Sequence, residues 1–110
     1  MRKRYFEQFD NIKDVRRSFD VEKKDILDAE VLFASYGSGG YDGSAIVIFH
    51  RDNKLYEVSG GHCSCYGLEG QWNPNEVTWS QLAMRQFSSI YSHEALEAVA
   101  KLIRRHVPRA

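Results

Sequence analysis

The 110-residue sequence has few prolines and cysteines, two of each, and it lacks both a net charge and a long apolar run. No apolar run approaches the roughly 18 residues that are needed to cross a bilayer. The charged segment at residues 1–7 has no apolar stretch behind it, which argues against a secretory signal. We therefore expect a soluble protein that acts in the cytoplasm without contacting a membrane.

The absence of net charge argues against nucleic acid as a direct partner, because a nucleic-acid-binding domain is normally basic. The charges are nevertheless unevenly distributed along the chain. Residues 1–19 carry a net charge of +3, residues 20–76 carry −6, and residues 77–110 carry +3. The basic side chains near the C-terminus are more typical of a solvated helix face than of a phosphate-binding stripe. An acidic middle between basic ends suits a partner protein with a basic groove, or self-association as a homodimer.

Length and composition indicate one domain over residues 1–110, with enough hydrophobic side chains, 43%, for one core. Apolar residues recur every three or four positions over residues 8–19 and predict an N-terminal helix. A capping box at Thr78 and Gln81 predicts a second, short helix, and Ser92 can cap a last helix that continues to about His106.

Three strands are predicted between the helices, over residues 29–36, 44–51 and 54–60, where the segments are apolar and β-capable. Asp52 and Asn53 form a plausible two-residue hairpin turn, since both residues tolerate the left-handed conformation. We therefore expect an α+β fold in the order αβββαα. In it, a three-stranded antiparallel β-meander packs one face against the N-terminal and C-terminal helices.

The two-residue turn also fixes the register of the hairpin, because the residue numbers of every facing pair must then add to 105. One surface of the hairpin is then made of Val47, Phe49, Tyr56 and Val58, and we expect this surface to face the core. Extended beyond the predicted strands, the same register places Cys63 opposite Asp42 and His62 opposite Gly43.

All eight glycines lie in two loops, at residues 37–43 and 60–72. In a meander, the loop joining the first two strands and the loop leaving the third lie at the same end of the sheet. We therefore expect a ligand-binding or partner-binding site at this end. Its candidate residues are Tyr36, Tyr41, Asp42, His62, Cys63, Cys65, Tyr66, Glu69 and Trp72.

His62, Cys63 and Cys65 are residue types that zinc prefers, but their spacing is not that of a structural zinc site, which pairs ligands as C-x₂₋₄-C. We therefore expect no cofactor, with zinc as the alternative. A nucleophilic cysteine would need a base within reach and a lowered pKa, and buried packing thiols are the plainer interpretation. No catalytic residue is assigned, and all three interpretations stay open.

The segments SYGSGGYDGSAIVIF, KLYEV and GGHCSCYGLEGQWNPNEVTW together resemble a family of short, mostly uncharacterised proteins of tailed phages and prophages. The resemblance covers about half of the chain, and HCSCYGLEGQW is its most specific part. It implies a phage or prophage origin and action in the host cytoplasm, and it brings no reaction, ligand or catalytic residue. Because small phage accessory proteins often block a host enzyme or defence complex, it favours a non-enzymatic inhibitor of a host protein. The alternatives are a small-ligand or zinc-binding protein and a cysteine-dependent enzyme.

Overall fold

The structure is a computed structural model that describes residues 4–7, 9–26, 29–39, 42–63, 67–84 and 91–107. Its elements are β1 (Tyr5–Glu7), α1 (Ile12–Phe19), a 3₁₀ turn (Lys23–Asp25), β2 (Glu30–Gly39), β3 (Asp42–Arg51), β4 (Lys54–Cys63), β5 (Asn75–Glu76), α2 (Trp79–Ala83) and α3 (His93–His106). The strands form one sheet in the order β1-β2-β3-β4-β5, so the α+β class is confirmed. Of the helices described, none is long and apolar enough to cross a bilayer.

The predicted three-stranded meander is the centre of a larger sheet. β2, β3 and β4 pair antiparallel as expected, and all three strands run further towards the glycine-rich loops than the sequence predicts. Two short strands then extend the sheet at its edges, with β1 parallel to β2 and β5 antiparallel to β4. The predicted order αβββαα is therefore corrected, because a strand precedes the first helix and another follows the meander.

The N-terminal helix is shorter than the spacing over residues 8–19 predicts. It begins at Ile12 because the side-chain oxygen of Asn11 accepts a hydrogen bond from the backbone N–H of Asp14 at 3.1 Å and so caps the helix. Phe9 precedes this cap, yet it is buried in the same core as the helix. Phe9 fits the helical spacing because it is buried in the same core as α1, although it is not itself part of the helix.

The hairpin between β3 and β4 has the predicted turn and register. Asp52 and Asn53 have φ angles of 52° and 63°, as a type I′ turn requires at both of its central positions. Every pair from Arg51 with Lys54 to Asp42 with Cys63 follows the expected register, in which the residue numbers add to 105.

Both faces of the sheet are buried, which corrects the prediction of a single helix-covered face. On the face that α1 covers, called the α1 face, the core is formed by Phe9, Val15, Phe19, Ile26, Val31, Ala34, Ala45, Val47, Phe49, Val58 and Leu68. On the opposite face, called the α3 face, it is formed by Phe6, Phe33, Ile46, Ile48, Leu55, Leu82, Tyr91, Ala95, Val99 and Ile103. The unbroken apolar run at residues 45–49 explains the difference, because consecutive side chains of a strand point to opposite faces.

Candidate functional site

The structure brings the two predicted loops to one end of the sheet. We call this end the two-loop end and define it by its described residues, 36–39, 42–43, 60–63 and 67–72. Asp42 pairs with Gly39 across the β2–β3 hairpin and with Cys63 across the β3–β4 ladder, and Gly43 pairs with His62. The backbone arrangement expected for the site is therefore confirmed.

The predicted site residues differ in how much of each is described. Tyr36, Glu69 and Trp72 are described with their side chains, whereas Asp42, His62 and Cys63 are described by their backbones. The predictions for Tyr41, Cys65 and Tyr66 lie outside the described residues. Within the part of the chain that the structure describes, no three His, Cys, Asp or Glu residues are grouped so that they could hold a metal ion. Zinc binding by His62, Cys63 and Cys65 thus stays a prediction.

The side chain of Gln71 fastens the second loop to the sheet. Its Oε1 accepts a hydrogen bond from the backbone N–H of Gly61 at 2.8 Å, and its Nε2 donates to the carbonyl of Gly61 at 2.7 Å. The same Nε2 also donates to the carbonyl of Gly67 at 3.0 Å. The Gln71 side chain therefore pairs with the outer edge of β4 as a neighbouring strand would. It satisfies the backbone N–H and carbonyl of Gly61, a position that the short strand β5 does not reach.

The side chain of Leu68 packs the second loop against the sheet, close to Gly60. The Leu68 side chain is 1% exposed and belongs to the core of the α1 face. A Cβ at Gly60 would lie 2.9 Å from Oε1 of Gln71 and 3.0 Å from Cδ2 of Leu68, so the ends of both side chains would have to shift to admit it. A residue without a side chain at position 60 lets the loop cross β4 with both contacts as they stand.

Trp72 anchors the far end of the same loop. Its ring stacks on Phe49 with centroids 5.7 Å apart and an interplanar angle of 8°, and it meets Phe19 edge-on at 5.2 Å. These contacts join the loop to β3 and to α1 at once, and rings in such arrangements add to the stabilisation from burial. Trp72 is half-buried, and it holds the loop whether or not its remaining surface meets a ligand.

Tyr36 and Glu69 are two of the predicted site residues, and they lie near enough for the charge of one to act on the other. The half-buried ring of Tyr36 packs edge-on against Phe9 at 5.4 Å. Burial raises the pKa of the Tyr36 phenol above its ordinary value, and the neighbouring negative charge of Glu69 raises that pKa further. Glu69 itself is exposed, so it places a carboxylate on the surface of the two-loop end, beside a phenol that stays protonated at neutral pH.

Sequence reasoning missed the two residues that fix the loop, Gln71 and Leu68. Leu68 is the one aliphatic side chain in the loop at residues 60–72, and this isolation is a signal that could have identified it as an anchor. Gln71 has no such signal, because a side chain that bonds to the backbone ten residues away leaves no periodic pattern.

Replacing Gln71 by alanine removes two hydrogen bonds to Gly61 at the edge of β4 and one to Gly67 within the loop. We expect Gln71→Ala to lower the free energy of unfolding by about 1–3 kcal/mol, measured by urea denaturation, because each bond contributes modestly at a partly exposed site. Asn73→Ala is the matched control, since Asn73 is an exposed amide side chain in the same segment, and its effect should stay within about 0.5 kcal/mol. Equal effects from both substitutions would contradict a clamp at Gln71.

Comparison of the chain with protein-family models, with curated proteins and with solved structures gives no match in any of the three. The resemblance to a family of phage and prophage proteins therefore stays a prediction.

Proposed function

We propose that this chain is a small accessory protein of phage type, a non-enzymatic binding module that docks on a host protein or protein complex in the host cytoplasm and inhibits it. The docking surface in this proposal is the two-loop end. The observation that carries the proposal is the fixed attachment of residues 67–72 to the sheet by Gln71, Leu68 and Trp72. Loops held on a rigid scaffold are where proteins commonly place their binding residues.

Attachment of the loop supports binding because it reduces the entropy that would be lost when a partner docks. A mobile loop must be ordered on binding, and each immobilised side chain subtracts from the affinity. Here Leu68 is buried and the Gln71 amide is already bonded at three points, so this part of the surface is ordered before any partner arrives.

Charge indicates the kind of partner surface that fits. The two-loop end lies within residues 20–76, the segment with a net charge of −6, and Glu69 is exposed on it. A surface of this sign attracts a basic patch on a protein and repels the phosphate backbone of nucleic acid. The proposed partner is therefore a host protein with a basic docking surface.

Charge reversal at Glu69 tests the docking surface. The tagged full chain is used to capture a partner from host lysate, and the dissociation constant for the purified partner is then measured for each variant. We expect Glu69→Lys to weaken binding about five- to tenfold, because an attraction becomes a repulsion at an exposed site.

Glu76→Lys is the matched control for this measurement. Glu76 is exposed on β5 and pairs with Tyr56, close to the β3–β4 turn and thus at the opposite end of the sheet. We expect its dissociation constant to equal that of the unchanged chain. Equal weakening by both substitutions, or recovery of no partner by the unchanged chain, would count against the proposal.

Zinc binding at the two-loop end is the second candidate function. The register supports Asp42 and Cys63 as two of the ligands, because it places their backbones at facing positions, and Cys65 follows two residues further along the chain. Carboxylate, imidazole and thiolate are all zinc ligands.

Metal analysis of protein purified under reducing conditions tests this candidate. If it is correct, the chain carries stoichiometric zinc, and both Cys63→Ser and Cys65→Ser lose the metal and lower the melting temperature, because a structural metal contributes to folding. Absence of metal together with unchanged melting of the two variants would eliminate zinc and leave the binding module.

A further inference from the structure

The α3 face carries an open cleft of about 660 Å³ between α3 and the β1–β2 edge of the sheet, called here the α3 cleft. Its apolar lining consists of Phe6, Leu32, Phe33, Ala98 and Leu102. The rings of Phe6 and Phe33 lie 5.4 Å apart and are almost fully buried, whereas the other three side chains are half-buried. The cleft therefore has a firm aromatic floor with accessible aliphatic side chains, and its size is that of small-molecule sites.

Three cationic side chains from distant parts of the chain line this cleft. Lys101 and Arg105 are one helical turn apart on α3, and Arg4 is the residue directly before β1. One guanidinium nitrogen of Arg4 donates a hydrogen bond to the carbonyl of Val31 at 3.0 Å. This bond holds Arg4 near the beginning of β2.

The C-terminal part of α3 lies at the same end of the sheet as Arg4. His106 stacks on Trp79 with ring centroids 4.1 Å apart, and Trp79 also contacts His50 edge-on at 6.2 Å. His50 pairs with Glu30, the first residue of β2. Arg4 and Arg105 therefore lie towards the same end of the cleft, with His106 next to Arg105 and Lys101 one helical turn before it, and we call this end the cationic end.

The opposite end of the cleft is acidic. Glu94 and Glu97 line it from the first half of α3. That half lies towards the far end of β2, because the hydroxyl of Ser44 donates to the hydroxyl of Tyr91 at 3.0 Å and Ser44 pairs with Gly37. The cleft is thus apolar along its length, positive at one end and negative at the other.

Within the described ranges, Arg4, Lys101 and Arg105 form no ion pair with a carboxylate. All three side chains are exposed and repel one another through solvent, and an anion bound between them would be attracted by each. Arg4 is moreover held in place, and guanidinium groups bind carboxylate and phosphate through paired N–H donors. The cationic end has the chemistry of an anion site that adjoins an apolar channel.

We propose that the α3 cleft binds a single-chain anionic amphiphile, which is a hydrocarbon chain that ends in one carboxylate or phosphate. The headgroup lies against Arg4, Lys101 and Arg105, and the chain lies over Phe33 and Leu102. Glu94 and Glu97 repel a second anionic group, so polyanions such as nucleic acids are poor ligands. This activity is independent of the docking proposed for the two-loop end, so either proposal can fail alone.

Calorimetric titration of the full chain with short amphiphiles below their micelle concentrations tests the proposal. We expect decanoate or decyl phosphate to bind saturably. Acetate and inorganic phosphate, which lack the hydrocarbon chain, and decyltrimethylammonium, which has the opposite charge, should bind at least about tenfold more weakly. Absence of saturable binding of both anionic amphiphiles, or equal binding of decyltrimethylammonium, would overturn the proposal.

Variants of α3 locate the binding. The double variant Lys101→Glu with Arg105→Glu should weaken decanoate binding by at least about tenfold, because two charge-assisted contacts become repulsive. Arg104→Glu is the matched control, since Arg104 is exposed on the same helix and does not line the cleft, and it should change the affinity less than about twofold. Equal weakening by Arg104→Glu would overturn the proposed location.

If the double charge variant does not fold, a variant that blocks the cleft sterically can test the location instead. Ala98→Phe fills the cleft from its half-buried wall without changing any charge. We expect it to abolish decanoate binding while the melting curve stays cooperative. Unchanged affinity in a folded Ala98→Phe protein would show that the amphiphile binds elsewhere and would overturn the proposal.

Discussion

The two residues of the Asp52–Asn53 turn both have positive φ, and the type I′ geometry that results sets the register of β3 against β4. Much of the rest of the molecule depends on this register. It directs Val47 and Phe49 to the α1 face and Ile46 and Ile48 to the α3 face, where each pair is buried by a different helix. A slip of one residue would exchange the two sets, and although both are apolar, each core is packed around side chains of a particular shape, so the slip would disrupt both.

Each face of the sheet carries one of the two proposed surfaces. On the α1 face, Leu68 and Trp72 bury one side of the second loop, and Gln71 completes the edge of β4 beside them. On the α3 face, the helix that covers Ile46 and Ile48 leaves an apolar cleft at the β1–β2 edge, with basic side chains at one end. The proposed protein docking and the proposed amphiphile binding thus use different surfaces of the same sheet.

The parts of the fold that were predicted correctly are those with a local signal. The hairpin register follows from a two-residue turn, and the caps at Thr78 and Ser92 follow from side chains that bond to the backbone three residues ahead. β1 and β5 have three and two residues, and short strands of this kind are held by pairing with distant segments instead of by their own sequence. Burial of both faces could have been inferred from the apolar run at residues 45–49, whose alternate side chains cannot all point to one face.

The candidate sites show the same division. The meeting of Asp42 and Cys63 was predictable because it extends the hairpin register. The contact of Gln71 with Gly61 and the approach of Arg4 to Arg105 were not, because tertiary packing brings these residues together without any turn or period between them. The prediction that the basic side chains near the C-terminus are solvated agrees with the exposure of Lys101 and Arg105, and no spacing in the sequence indicates that they line one apolar cleft together with Arg4.

The candidate site depends on the register of β3 and β4 at the two-loop end, and a nuclear Overhauser measurement between Hα protons reports this register. Facing residues alternate between hydrogen-bonded and closer, non-hydrogen-bonded pairs, and counting from the Arg51–Lys54 pair beside the turn makes Asp42 and Cys63 a close pair. We expect a strong cross-peak between the Hα protons of Asp42 and Cys63. A cross-peak from Asp42 to a residue one place away from Cys63, in place of Cys63, would contradict it.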